Sequence, residues 1–353
     1  LHGCDFEYKV VKPIVVASFG SKVHARAIGM LQAAGCTVRE IPSETGAWTP
    51  TLIEEYAPTA DAWIGTFPGM GLPESVFARA ERTRLVVSQI IGTEFIDVKA
   101  ATALGILVAH GAMAENFDGM AEAGVLLIAA LRKQLMAKAV TMVKGGWKPP
   151  EPGMMVSGST IGLIGFGRIG RGVARRLRGW DATILASDPH ATEADATQLG
   201  VQLAPLDNLL ERSDVVVMMV PLTDGTRNLI DVAAIATMKP GAQLVCIGRG
   251  GCVDEAALLA ALDDGRLSGA ALDVWSTEPP AVDDPLRCHP RVIATGHVIG
   301  HSEELYARIP AVAAENLLLG LRGELPLHVR NPEVVPMWRR RIATLSELAG
   351  DCE

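Results

Sequence analysis

Three observations predict two doubly wound α/β domains. Between Lys12 and His110, short β-branched runs alternate with helical stretches, the pattern of a parallel sheet with helices on its faces. From Ser159 a glycine fingerprint, Ile161-Gly-Leu-Ile-Gly-Phe-Gly-Arg-Ile-Gly170, opens a second such alternation that runs to Thr295. The chain has 353 residues, 49% of them hydrophobic and 20% charged, which is more than one core ordinarily holds.

In the first alternation, Pro13–Ser18, Ala60–Gly65, Leu85–Ser88 and Ile106–Ala109 are predicted strands. Helical periodicity covers His24–Ala34, Glu74–Arg82 and Asp97–Leu104. From Asn116 to about Val143 the helical pattern is almost unbroken, with Met120, Ala123, Leu127 and Leu131 on one apolar face. Gly145–Gly153 then carries three prolines and three glycines, so it is a loop. It leads into the second unit.

There, Ser159–Ile164 is a short buried strand. Gly165 makes the tight turn after it, Gly167 lets the backbone approach a pyrophosphate, and Gly170 lets the next helix pack on the strand. The N-terminal N–H groups of that helix face the phosphate charge. A further strand, Ala182–Ala186, ends near Asp188, whose carboxylate accepts from ribose hydroxyls and repels a 2′-phosphate. NAD is therefore expected rather than NADP, with His190 leaving room for some use of NADP. Asp214–Met219, Ala242–Ile247, Ser268–Val274 and Val292–Thr295 are the remaining strands, and Asp254 caps a helix through Leu262. The chain after His297 is expected to be too short for a third domain, so its helical stretch Ser302–Leu321, interrupted by Pro310, must pack on something already built.

Composition excludes other classes. A net charge of -8 and a pI of about 5.6 give no footprint for nucleic acid or an anionic membrane. The six cysteines, Cys4, Cys36, Cys246, Cys252, Cys288 and Cys352, are dispersed without a C-x-x-C, which points to reduced thiols in a cytoplasm. The apolar run Ala123–Leu131 is too short to span a bilayer, and the N-terminus lacks a signal pattern.

Three polar residues follow strand ends of the second unit: Arg249, Glu278 and His297. Singly, each has an ordinary explanation as a solvated arginine, a turn glutamate before Pro279 or a structural histidine. Together they share the edge where ligands of doubly wound sheets bind. Arg249 offers a charged planar fork suited to a carboxylate and an adjoining carbonyl oxygen. His297 can hand a proton to that oxygen, with the Glu278 carboxylate orienting it and favouring its protonated form.

These features carry a resemblance. Thr160–Gly170, Val220-Pro-Leu-Thr-Asp-Gly-Thr226, Arg249-Gly-Gly-Cys-Val-Asp-Glu255, Gly269–Val274 with Glu278-Pro279, and Thr295-Gly-His297 stand in the order of the D-isomer-specific 2-hydroxyacid dehydrogenases, including glyoxylate/hydroxypyruvate reductases and phosphoglycerate dehydrogenases. The resemblance implies that Arg249, Glu278 and His297 are the catalytic triad. It implies Arg168 and Ile169 at the pyrophosphate and Val220, Pro221 and Thr226 along the adenosine side. Ile247, Gly248, Asp273 and Gly300 would lie about the nicotinamide, with Asp273 on the carboxamide; a turn-capping role is the plain alternative for that aspartate. It further implies a Rossmann coenzyme domain, residues 123–300, inserted into a flavodoxin-like substrate domain of residues 1–122 and 301–353. Catalysis would occur in a cleft closed by a hinge, and a homodimer through the coenzyme domain is expected.

Some residues depart from that family. Ser88–Glu94 lacks the usual glycine at Ile90 or Ile91, which leaves Ile91 and Gly92 as the N–H donors to a substrate carboxylate. Gly296 replaces a proline and is expected to loosen the backbone that aims His297. His297 and His301 stand at helical spacing but have no acidic or thiol companion, so no metal is expected. The loop Gly65–Gly71 has no cation, which disfavours a phosphorylated substrate and favours a small 2-keto acid. Phe67 and Met70 are the side chains expected to meet its R group, or else simply to pack the loop. The runner-up function is an NAD(H)-sensing binding protein without catalysis. An enzyme of the same fold acting on formate is disfavoured, because those relatives carry glutamine in place of Glu278.

Overall fold

The computed structural model describes residues 12–18, 24–42, 45–148 and 152–350. Cys4, Cys352, Pro149, Pro150 and the N-terminal stretch read for a signal pattern lie outside them. The chain divides into two compact units, one formed by the segments up to Met113 and from Glu303 on, the other by Ala114–Ser302.

In the first unit, β1 (Ile14–Ser18), β2 (Thr37–Glu40), β3 (Ala62–Gly65), β4 (Leu85–Ser88) and β5 (Leu107–His110) form a parallel sheet in the order β2-β1-β3-β4-β5, which is flavodoxin-like. Helices α1 (His24–Ala33), α2 (Pro50–Tyr56), α3 (Glu74–Phe77) and α4 (Val98–Ala103) connect the strands. The central strands are apolar throughout because both faces are covered. Edge strand β2, Thr-Val-Arg-Glu, is half-exposed, and its mixed sequence gave no apolar signal.

The second unit comprises α5 (Ala114–Arg132), α6 (Leu135–Val143), β6 (Thr160–Ile164), α7 (Arg168–Leu177), β7 (Thr183–Ser187), α8 (Glu193–Leu199), β8 (Gln202–Leu203), α9 (Leu206–Arg212), β9 (Val215–Met218), α10 (Val232–Thr237), β10 (Ala242–Cys246), α11 (Glu255–Asp263), β11 (Leu267–Leu272) and β12 (Val292–Ala294). Its seven strands are all parallel in the order β12-β11-β10-β9-β6-β7-β8, so the strand order reverses between β6 and β9. Alternate residues of β9 feed opposite faces: Val215 and Val217 pack with Ile161 and Val173, Val216 and Met218 with Leu244 and Leu258. Side-chain caps start several helices, including Asp231 on the Ala234 N–H and Asp254 on those of Ala256 and Ala257. The chain then rejoins the first unit as α12 (Glu303–Leu321) and α13 (Val335–Gly350), burying Ala313, Leu317 and Trp338 in its core.

Two helical expectations are corrected. The long pattern to Val143 breaks at Gln134, which sits in the left-handed region (φ 50°) and separates α5 from α6. The predicted helix Glu74–Arg82 stops at Phe77: the carbonyls of Ala80, Glu81 and Thr83 accept hydrogen bonds from the Arg341 guanidinium of α13 instead of continuing a helix.

Candidate active site

All strands of the second unit run the same way, so every loop after a strand emerges on one edge of that sheet. At the β6–β9 reversal Gly165 adopts φ +97°, and a Cβ there would lie 3.0 Å from Val220 Cγ1. A Cβ on Gly170 would meet the Gly165 carbonyl oxygen at 2.3 Å, so only glycine lets α7 start so close to the turn. Gly167, the N-cap of α7, faces open space, with nothing within 4 Å of an added Cβ. The first-turn N–H groups of α7 point to that side without partners inside the helix. Beside them the Arg168 guanidinium stacks over the Phe117 ring, 4.8 Å from its centroid. Ile169 is half-buried against the apolar core of the unit.

Asp188 is already fixed. Its Oδ2 accepts from the Phe166 N–H (2.7 Å) and its Oδ1 from the His190 N–H (2.8 Å), which holds the carboxylate at the mouth of the glycine turn with lone pairs to spare. After β9, Val220 is half-buried and Pro221 exposed. The Thr226 hydroxyl closes the following loop by donating to the Pro221 carbonyl at 2.7 Å.

The Arg249 turn is wedged between two backbones. A Cβ on Gly248 would lie 2.6 Å from the Val220 carbonyl oxygen, and one on Gly250 would lie 2.0 Å from Trp275 C. Arg249 donates through Nη1 to the Gly248 carbonyl at 2.8 Å, while Ile247 before it is buried. Cys246, at the end of β10, is sealed beneath this turn, and burial pushes its thiol up to about 12. It is an inert core group.

Glu278 and His297 meet directly, with Oε2 and Nδ1 2.9 Å apart. Both side chains are partly exposed, 39% and 44%. A carboxylate in this position favours the tautomer with the proton on Nδ1, whose other ring nitrogen, Nε2, is then an acceptor. The other Glu278 oxygen accepts from the Trp275 N–H at 3.1 Å. His297 itself has φ +59°, yet the segment is not loose as the Gly296 substitution led one to expect. The His297 N–H donates to the Asp273 carbonyl (2.7 Å), and Asp273 Oδ1 accepts from the Thr295 hydroxyl and the Val298 and Ile299 N–H groups. The Trp275 indole N–H adds a bond to the Thr295 carbonyl at 2.9 Å. Asp273 thus organises this turn through Oδ1. Its second oxygen, Oδ2, is buried without a hydrogen-bond partner. Gly300 is buried, and a Cβ there would collide with Met120 of α5. Sequence reasoning missed the Trp275 and Thr295 bonds, because no spacing rule signals a contact between separate strand-end loops.

The residues expected to serve the substrate lie in the first unit. Phe67 is 1% exposed and in core contact with Trp63 and Phe95, so its side chain packs the loop against the interior, the second of the two roles expected for it. The loop curls back there: the Met70 and Gly71 N–H groups both donate to the Phe67 carbonyl. Met70 is half-buried on the same cluster. The Ser88 hydroxyl donates to the Gly92 carbonyl (2.7 Å) and lies 3.0 Å from that of Ile90, and in the loop so folded the N–H groups of Ile91 and Gly92 have no acceptor among the described residues.

Among the described residues no three His, Cys, Asp or Glu side chains group as a metal site requires, and no helix is long and apolar enough to cross a membrane. Residues 125–298 match the family model for the NAD binding domain of D-isomer specific 2-hydroxyacid dehydrogenases. D-3-phosphoglycerate dehydrogenase of Mycobacterium tuberculosis is 38% identical over 283 residues, 78% of this chain and 53% of that protein. The chain thus spans about half the length of that relative. Glyoxylate reductase of Korarchaeum cryptofilum is 40% identical over 267 residues, 74% of this chain and 80% of the relative. Among solved structures, D-lactate dehydrogenase of Aquifex aeolicus, complexed with NAD and lactic acid, gives a TM-score of 0.77 at 25% identity, covering 88% of this chain and 96% of that one.

Proposed function

As the chain belongs to the D-isomer specific 2-hydroxyacid dehydrogenase family, we propose that it interconverts a small 2-keto acid and the corresponding D-2-hydroxy acid. The observation that carries this reading is the 2.9 Å pairing of His297 Nδ1 with Glu278 beside the wedged Arg249 turn.

NAD is the cofactor of the matched domain, and two features fit it: the open face at Gly167 and the buried, unpartnered acceptor Asp273 Oδ2. The α7 N-terminus with Arg168 and Ile169 would hold the pyrophosphate, and Asp188 the adenosine ribose. Val220, Pro221 and Thr226 would line the adenosine side. Ile247, Gly248, Asp273 and Gly300 would flank the nicotinamide, Asp273 accepting from its carboxamide. When bound, NADH supplies the hydride.

Arg249 binds the substrate carboxylate and polarises the neighbouring carbonyl oxygen. His297 Nε2 donates a proton to that oxygen in reduction and removes it in oxidation, while Glu278 keeps the ring oriented and stabilises the imidazolium. Within the first unit, Ile91 and Gly92 are the proposed N–H donors to an anionic substrate. The absence of any cation in Gly65–Gly71 favours an unphosphorylated acid such as glyoxylate or hydroxypyruvate. The exposed apolar residues of α6 (Leu135, Met136, Met142 and Val143) support a homodimer, and a sedimentation mass equal to one chain would contradict it. The free thiols of Cys36, Cys246, Cys252 and Cys288 support a reducing cytoplasm.

The test follows absorbance of NADH, then NADPH, with a panel of small 2-keto acids. Turnover with NADH is expected, and NADPH should be used about tenfold or more less efficiently because Asp188 repels its 2′-phosphate. Tight NADH binding with no turnover of any acid would favour a sensor, and equal use of NADPH would remove Asp188 as the discriminator.

A further inference from the structure

The loop that carries Glu278 leaves β11 and reaches cis Pro279 without forming regular structure. Its anchor comes from another element. Ser276, two residues before Glu278, donates its N–H to Glu255 Oε1 at 2.7 Å and its hydroxyl to Glu255 Oε2 at 2.5 Å. Glu255 is the first residue of α11, directly after the turn that bears Arg249. Both of its oxygens are engaged by one residue, in charge-assisted bonds that fix Ser276 in two directions. Between this anchor and His297, the Trp275 N–H holds Glu278 Oε1 and so leaves Oε2 to meet Nδ1.

We infer that Glu255 is a positioning residue for the Glu278–His297 pair, acting through Ser276 and touching neither partner. The inference rests on the proposed hydride-transfer reading. Without the anchor, the loop is free to shift on its Trp275 side, and a displacement of about 1 Å at such a pair can cost on the order of 100-fold in rate. A carboxylate suits this place twice over, since it also sits in the first turn of α11, where negative charge is favourable.

The test compares the wild type with Glu255→Ala, Glu255→Gln, Ser276→Ala, Glu278→Gln and the Glu255→Ala/Glu278→Gln double variant. Each is measured for kcat, for NADH affinity by fluorescence titration and for the His297 Nδ1–H resonance by 15N-histidine NMR. Glu255→Ala is expected to lower kcat by about 10- to 100-fold with NADH affinity unchanged. Glu255→Gln, which still accepts from the Ser276 N–H, should recover most of that loss, and Ser276→Ala should show a smaller loss of the same kind. The double variant should be little worse than Glu278→Gln alone, because both act on one pair. The downfield Nδ1–H signal of the wild type should weaken or vanish in Glu255→Ala. Multiplicative losses in the double variant, or an unaltered Nδ1–H signal in Glu255→Ala, would overturn the inference. If Glu255→Ala does not fold, the same two readouts on Ser276→Ala decide it, an unaltered signal and kcat being the contrary result. A wild type that turns over no 2-keto acid but loses its Nδ1–H signal on substitution would refute the reaction and leave the positioning role standing.

Discussion

Replacing His297 by alanine should lower kcat by about 100- to 10,000-fold while leaving NADH affinity within about twofold of wild type. The proton donor acts only as charge develops on the substrate oxygen, so its loss falls on the rate more than on binding. The variant should fold, because the segment is held by backbone: the His297 N–H bonds the Asp273 carbonyl, and Asp273 Oδ1 holds the Val298 and Ile299 N–H groups. None of these uses the imidazole. Left-handed φ at position 297 carries a modest cost for alanine as it does for histidine. Saturation kinetics with the best acid of the panel, together with an NADH titration, check both halves of this expectation. An unchanged kcat would remove the proton-donor role.

The second large effect belongs to Arg249. Arg249→Lys keeps the charge but loses the planar fork, and kcat/KM should fall roughly 100-fold, equivalent to about 2–3 kcal/mol for charge-assisted hydrogen bonds. In contrast to His297→Ala, much of this loss should appear in KM, because the carboxylate is bound in the ground state as well. A ketone of similar size without a carboxylate separates the roles: on it, the gap between wild type and Arg249→Lys should shrink to the part that comes from the carbonyl contact. The turn itself should survive, since its geometry is set by Gly248 against Val220 and Gly250 against Trp275 rather than by the guanidinium. Equal kcat/KM for the two proteins on 2-keto acids would show that Arg249 does not engage the carboxylate.

Much of this architecture was legible in the sequence because parallel strands covered on both faces write continuous apolar runs. Val215–Met218 and Leu85–Ser88 are of this kind, and the polar residues just beyond such runs must emerge on one edge. On that ground Arg249, Glu278 and His297 group together from sequence alone. Short or mixed elements left no such trace: edge strand β2, Thr-Val-Arg-Glu, holds a single apolar residue, and α13 carries a run of three arginines of which Arg341 is spent on carbonyls of the same unit. Sequence left two roles open for Phe67 because loops are ordinarily exposed, whereas this one folds its aromatic ring back against Trp63 and Phe95. Gln134 broke a helix that its periodicity extended, since a single left-handed residue leaves the apolar spacing intact. The bonds that brace the site, Glu255 to Ser276 and Trp275 to Thr295, span about twenty residues between separate loops, and no local pattern encodes them.

Transfer of deuterium tests the central claim most directly. The protein is incubated with a small 2-keto acid whose reduction creates a chiral C2, such as hydroxypyruvate, and NADH deuterated at the transferring position of nicotinamide C4, and the product is examined by mass and by chiral separation. The account predicts a 2-hydroxy acid carrying one deuterium at C2, formed as the D-isomer alone and lost with His297→Ala. A product without deuterium at C2, or one of the L-configuration, would contradict it.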